Sequence, residues 1–449
     1  MTPLLAFRRF AFHRKVTHGV ALAALLAACS AAPAQAPQTP EPQTCTGETR
    51  EETPLAPGVT WIHLCREAPA NANAAPAAGQ PLGAPAGPWS IHILEVARHR
   101  RDISVRSHVG TDKTGRLVRV PLTELAWQAK TEDQEDVVVA VNGDYDMADP
   151  YLGLPIGLAV SNGRIWSAGG PPRPAMAILG SGIPFIGVPA YTLRLHVKNK
   201  FLPVDTLNKP MGFSPGRNLR AYTRAFGTEV KAPKPFRAIV ITHLSPGIPI
   251  QIFGGLRGMI TEIRATGEVQ PIPEDALLIA EPPDVETSKS VFKNFKVGQR
   301  VILWTSVRMG DETGIREAIG GLPMLISGGK ISIEGEGEPG DYLKARHPRT
   351  AVCYTNENYI FAVVDGRQPK LSVGMTLEEL ADFMLSLGCS DAMNTDGGGS
   401  TELAVALPAN TARPSTLPAA VGSGLTIVNS PSDGHERGRP NAWLVVRTH

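Results

Sequence analysis

The amino-acid sequence predicts a mixed β-sheet core with flanking helices, of α/β to α+β class, and a β-rich middle section over about 190–335. Three observations lead there. Twice the chain runs from a helical pattern into a short buried strand and then a polar, Gly-containing turn. Between these units lies a stretch rich in Pro and Gly with β-type apolar runs and no long helical pattern. A hairpin signal follows: Thr350–Tyr354 and Tyr359–Val364, joined by Thr355-Asn356-Glu357-Asn358.

The N-terminus carries an address before any fold. Arg8, Arg9, Arg14 and Lys15 precede the apolar run Val20–Ala28, a charged region followed by a hydrophobic one. The run is too short for a stable bilayer span. Leu26-Ala27-Ala28-Cys29 resembles a lipobox, whereas Ala34-Gln35-Ala36 is an ordinary small-x-small cleavage site. The reading adopted is a lipoprotein-type signal peptide over 1–28 with lipidation at Cys29. A disordered Ala/Pro/Gln/Thr-rich tether over 29–55 and a folded domain over 56–446 follow. The expected location is exported, in the periplasm or outer envelope, touching membrane only through the lipid anchor. Four further cysteines, an even number, suit two bridges in an oxidising compartment: Cys353–Cys389 and Cys45–Cys65. Free buried thiols are the alternative.

Within the domain, Val59–Leu64 reads as a first strand, 67–88 as an Ala/Pro/Gly-rich surface excursion, and Trp89–Val96 as the next strand. Leu122–Lys130 reads as a helix, and the apolar run Val137–Val141 as a buried strand ending in Asn142-Gly143-Asp144-Tyr145-Asp146. In the middle section Ala238–Thr242, Ile248–Phe253, Ala276–Ala280 and Val301–Val307 are strand candidates. The second helix has a capping box, Thr376 with Glu379, and Met375 and Leu380 as a staple. Leu377, Leu380, Phe383, Met384 and Leu387 mark its apolar face, and Gly388 stops it. A strand over Asp391–Asn394 then delivers Asp396-Gly397-Gly398-Gly399-Ser400-Thr401 to a sheet edge.

That loop is the most informative stretch of the chain. Without Cβ atoms, three glycines let backbone N–H groups turn toward an anion at close range. The polar turns together supply Asn142 and Asp144; Arg346, His347, Arg349 and Thr350; Asp365 and Arg367; and Asp396, Ser400, Thr401 and Glu402. Each has a plainer reading as a turn-former or a solvated charge. Asp144, Asp146 and Asp149 invite calcium but lack the Gly and distal Glu of an EF-hand loop. The histidines show no metal-ligand spacing and no C-x-x-C occurs, so no cofactor is expected, with calcium as the alternative; the absence of a G-x-S-x-G elbow argues against a serine hydrolase. Lys and Arg number 44 against 42 acids, and no basic stripe with interleaved aromatics argues for nucleic acid. Carboxylates, arginines and a glycine loop suit a sugar–phosphate or polysaccharide substrate.

The order of motifs resembles the phosphodiester glycosidase family over about 56–446. The motifs are Asn142-Gly143-Asp144-Tyr145, Gly157-Leu158-Ala159-Val160-Ser161-Asn162-Gly163, Pro348-Arg349-Thr350-Ala351-Val352, Val364-Asp365-Gly366-Arg367, the glycine loop, and Val428-Asn429 with Pro431-Ser432-Asp433-Gly434 and Arg437. The resemblance implies hydrolysis of the bond between a sugar's anomeric carbon and a phosphodiester oxygen. On that basis Asp396 is the expected catalytic carboxylate, with Asp365 as second choice. Arg349 would neutralise departing phosphate, and Gly397, Gly398 and Gly399 would offer it backbone donors. Asn142 and Asp144 would bind sugar hydroxyls, with Thr350, Ser400, Thr401 and Arg437 completing the substrate site. A non-catalytic phosphoglycan-binding protein and a metal-dependent phosphodiesterase are the alternatives.

Overall fold

The computed structural model describes residues 44–69, 87–214, 216–333, 344–408 and 422–448. The expected signal peptide, Cys29 and most of the expected tether lie outside them. Among the described residues no helix is long and apolar enough to cross a membrane.

The chain is far more β-rich than the predicted class implies. Among the described residues two α-helices accompany three sheets. An eight-stranded sheet runs in the order Thr49–Ala56, Val59–Glu67, Pro88–Ala97, Asn358–Val364, Arg349–Tyr354, Ala392–Asn394, Met324–Ser327, Lys330–Ile331. A five-stranded sheet runs Thr426–Ile427, Leu403–Val405, Asp136–Asn142, Asn441–Arg447, Ile103–Val109. Every pairing in both is antiparallel, so neither is a mixed sheet and the expected class is met only loosely.

The two-residue period of the strands explains the layering. Val139 and Val141 turn inward with Trp443, Leu403, Phe361, Val363 and Met393, forming the core between the two sheets. Their neighbours turn outward. Ala140, Ala442 and Leu444 meet Leu122, Leu125 and Ala129 of the helix Leu122–Glu132. Ile360, Ala362 and Ala351 meet Leu377, Leu380 and Met384 of the helix Leu377–Ser386. The result is helix, sheet, sheet, helix, which is why these strands read as continuous apolar runs. Each large side chain so buried stabilises the fold by about 1.5–3 kcal/mol.

The second helix forms as its cap signals dictate. Thr376 Oγ1 accepts from Glu379 N at 3.1 Å, Glu379 Oε2 accepts from Thr376 N at 2.9 Å, and Gly388 leaves at φ +84°. Glu379 also holds Arg346 at 2.6 Å in a buried ion pair, so Arg346 serves packing.

In the middle section seven strands close into a barrel. In order they are Ala190–Val197, Arg300–Arg308, Gly254–Pro271, Glu229–Ser245, Leu277–Ala280, Leu219–Tyr222 and Lys200–Leu207, the last pairing back to the first. Leu195, Leu207, Ile239, Ile279 and Leu303 fill it. Both expected disulfides form, Cys45–Cys65 and Cys353–Cys389. The strand Thr49–Ala56 corrects the expected tether over 29–55. Mostly exposed, it carries no burial signal and is ordered by pairing with Val59–Glu67, beside the Cys45–Cys65 bridge.

Candidate functional site

The glycine loop, Thr395 to Glu402, is the bridge between the two facing sheets. It leaves the strand Ala392–Asn394 of one and enters Leu403–Val405 of the other. At the same edge the strand Asp136–Asn142 ends, Arg349–Tyr354 begins, Asn358–Val364 ends and Asn441–Arg447 begins. The antiparallel order brings every polar turn of the expected site together.

Asn142 ties them. Its Nδ2 donates to Asp396 O at 2.7 Å, and its Oδ1 accepts from Thr350 Oγ1 at 2.8 Å and Glu402 N at 3.1 Å. Gly143 O accepts from Asp396 N at 3.0 Å. Asp365 accepts from Ser90 Oγ at 2.9 Å, His92 Nε2 at 3.2 Å, Asn429 Nδ2 at 3.0 Å and Ser430 N at 2.8 Å. Asp144 accepts from Gly157 N at 2.6 Å and Tyr145 N at 2.8 Å, with Arg173 3.5 Å away. Burial raises the Asp144 pKa against the fields of Arg173 and Lys209. Arg349 donates from Nε to Met375 O and from Nη2 to Ala345 O, both at 3.0 Å. Asn142, Asp144, Arg349, Thr350 and Asp365 are all buried, and their hydrogen bonds go to the protein. The structure brings them to the site as its scaffold.

Asp396 differs. It is half-buried, its Oδ1 accepts from Gly397 N at 2.8 Å, and the Ser400 hydroxyl also bonds its carboxylate. Burial pushes its pKa up to about 6; Arg439, Ser400 and the Gly397 N–H oppose that rise, and the Asp146 charge adds to it. The glycines do less for an anion than their sequence suggests. The Gly397 N–H is spent on Asp396, and the Gly398 N–H donates to Pro348 O at 2.9 Å. Close approach explains Gly399, where an added Cβ would lie 2.2 Å from Asp433 Oδ2. Gly398 takes φ +64°, and Gly398–Ser400 close a 3₁₀ turn. Thr401 is buried behind the loop, its carbonyl accepting from Asn429 Nδ2 at 3.0 Å.

Cations flank the loop on its open side. Arg367 is exposed, and its Nη2 lies 3.0 Å from where a Cβ on Gly398 would sit. It occupies the left-handed region at φ +61°, uncommon for a residue with a side chain. Its Nη2 contacts His347 Nδ1 at 3.3 Å; burial, then Arg349 and Arg367, hold that imidazole down at about 4, neutral at pH 7. Arg437 pairs with Asp433 and stays partly exposed, and Arg119 pairs with Asp146. Among the described residues no three His, Cys, Asp or Glu side chains gather as a metal-binding cluster.

Arg439 carries weight that sequence reasoning missed. It is fully buried, 2.6 Å from Glu402 Oε1, and its Nη2 donates to Gly399 O at 3.4 Å. Burial lifts the Glu402 pKa to about 7 despite Arg439 and the Arg437 N–H. The run Glu436-Arg437-Gly438-Arg439-Pro440 looks like a solvated turn; no periodicity marks its second arginine as interior.

Removing one partner of a buried pair strands the other charge. Arg439→Leu is expected to cost about 3–5 kcal/mol in urea unfolding, and Arg439→Leu with Glu402→Leu much less. A double-variant loss equal to the sum of the losses in Arg439→Leu and Glu402→Leu alone would show that the pair is not coupled.

Among known proteins, a profile of the phosphodiester glycosidase family matches residues 252–446. No curated protein sequence is significantly similar to the chain. Among solved structures, a hypothetical protein from Synechocystis is 21% identical with a TM-score of 0.63; the match covers 90% of this chain and 64% of that one. A Burkholderia pseudomallei protein titled as exported is 19% identical with a TM-score of 0.61, covering 91% and 99%. These likenesses show a shared fold. The catalytic domain of zebrafish N-acetylglucosamine-1-phosphodiester alpha-N-acetylglucosaminidase, auto-inhibited by its pro-peptide, is 15% identical with a TM-score of 0.43, covering 90% and 89%. The matched segment holds Asp365, the glycine loop, Arg437 and Arg439, so over residues 252–446 this chain is similar to the phosphodiester glycosidase family.

Proposed function

We propose that the protein is an exported hydrolase that cleaves the glycosidic bond of sugar 1-phosphodiesters in envelope or extracellular glycans. The observation that carries this reading is Asp396: a half-buried carboxylate, raised to about 6, on a glycine turn flanked by exposed guanidinium groups. The family profile supports the bond type. Two disulfides suit an oxidising compartment. Attachment through Cys29 remains part of the proposal on sequence grounds.

The leaving group explains why one carboxylate can suffice. A departing phosphate monoester has a second pKa of about 6, so it leaves with little protonation. Asp396 acts as base for water or as nucleophile at the anomeric carbon. The phosphate is then met by Arg367, with Arg437 beside it, rather than by the buried Arg349. Arg349, Asp365 and Asn142 hold the turns in register, and Asp144 fixes the neighbouring loop through Gly157.

Asp396 must be ionised to act, so kcat/KM should rise with pH through about 6. Asp396→Asn should lower kcat by about 10²–10⁴. Its stability effect has the opposite sign. A carboxyl raised from 3.8 to about 6 makes the native state bind more protons than the unfolded chain in that window, so its contribution falls as pH rises. Asp396→Asn should therefore melt no lower than wild type at pH 8. Near-wild-type kcat in the folded variant would remove Asp396 from the chemistry.

Arg367→Ala should slow phosphodiester substrates more than sugars with neutral aryl leaving groups, and Lys at 367 should rescue only partly. Arg349→Ala should instead lower the melting temperature without favouring either substrate. Equal kinetic loss for both leaving groups in Arg367→Ala would detach Arg367 from the phosphate.

A further inference from the structure

One mouth of the barrel holds a cavity of about 540 Å³. None of its lining residues belongs to the glycine loop or the strands that carry it. Two turns face each other there. One is the tip of the hairpin Ala190–Val197 and Lys200–Leu207, bearing Lys198 and Lys200. The other is the segment before Arg300–Arg308, bearing Lys289 and Lys293. Phe295 contributes an apolar wall, and Gln299 lies alongside. No carboxylate lines the space.

This positive charge is local. The whole chain is formally +2, yet residues 289–300 carry Lys289, Lys293, Lys296 and Arg300 with no acid among them. The second turn is also built firmly. Glu281, buried beneath it, accepts from Ser290 Oγ at 2.9 Å and from Val291 N at 2.6 Å. Phe292 plugs the barrel core below. Lys289 meets Glu286 at 2.9 Å and Lys293 donates to Ser288 O at 2.5 Å, both at the exposed rim. The hairpin tip is fixed by its strand pairing, Val197 with Lys200. Barrel mouths are common ligand sites, and the volume falls in the usual range of about 300–1,000 Å³.

We propose that this cavity is an anion-binding exosite, holding a phosphate group of a polymeric glycan strand at a distance from the bond being cleaved. Four ammonium groups at the rim of a partly apolar hollow suit a phosphate with a sugar or polyol attached, and electrostatic attraction there raises the local concentration of a polyanion. The choice of a phosphate polymer rests on the proposed sugar-phosphodiester activity. The binding test needs no turnover, so its failure and the failure of that activity are separate results.

The experiment uses the full chain, soluble poly(glycerol phosphate) as probe, isothermal titration, and backbone hydrogen exchange. Wild type should bind and gain protection over 197–202 and 289–299. Replacing Lys198→Glu, Lys200→Glu and Lys293→Glu together should weaken binding by about tenfold or more, since each exposed charge contributes modestly. The exposed substitutions should leave melting and turnover of a small sugar 1-phosphodiester unchanged. Unaltered affinity in the triple variant, protection confined to 395–402, or no binding by wild type would overturn the proposal. So would phosphatidylglycerol vesicles that bind through these lysines while the polymer does not; that result would assign the cavity to a membrane surface.

Discussion

The side-chain amide of Asn142 is the constraint on which the site depends. A carboxamide donates from one side of its planar head and accepts on the other. Here it donates to the carbonyl of Asp396 and accepts from Thr350 and Glu402. Those three residues come from the loop, the eight-stranded sheet and the entry to the five-stranded sheet. The facing sheets are pressed together by apolar packing, which has no direction. Asn142 supplies direction at their edge. An aspartate there would offer no donor, and a leucine would leave three buried polar groups without this partner, each at a cost of about 1–3 kcal/mol.

From that register follows a division of charge. Arg439 with Glu402, Arg349 with backbone carbonyls, and Asp365 with four donors all lie behind the loop, out of water. Asp396 and Arg437 are only half-buried, and Arg367 is exposed. Buried charges keep their geometry because moving them strands a partner, whereas exposed guanidinium groups can follow a ligand. A half-buried carboxylate near 6 is poor for stability and suitable for a base working close to neutral pH. The left-handed backbone of Arg367 fits the same pattern of local strain where function is expected.

Much of this was legible in the sequence wherever local chemistry decides structure. The capping box at Thr376 and Glu379, the run Val137–Val141, the hairpin after Arg349 and both disulfides needed only short-range or compositional arguments. The barrel did not announce itself. Its long strands Glu229–Ser245 and Gly254–Pro271 contain Pro233, Pro235, Gly258 and Gly267 and several register shifts, which break the alternation a reader looks for. Antiparallel order between strands far apart in the chain was equally hidden, hence the α/β expectation. Facing direction was the third gap. Arg349 and Arg367 both stand in polar turns beside the hairpin, but one points into the protein and the other out, and only tertiary packing decides which. Residue type pointed to these turns; it could not say which members touch solvent.

In the proposed reaction a carbon–oxygen bond at the sugar breaks, assisted by a carboxylate on the glycine loop. Hydrolysis of a sugar 1-phosphodiester by the purified full chain in ¹⁸O-water tests it most directly, with mass spectrometry of both products. The label is expected in the sugar hydroxyl, with none in the phosphate. Label in the phosphate would mean phosphorus–oxygen cleavage and contradict it.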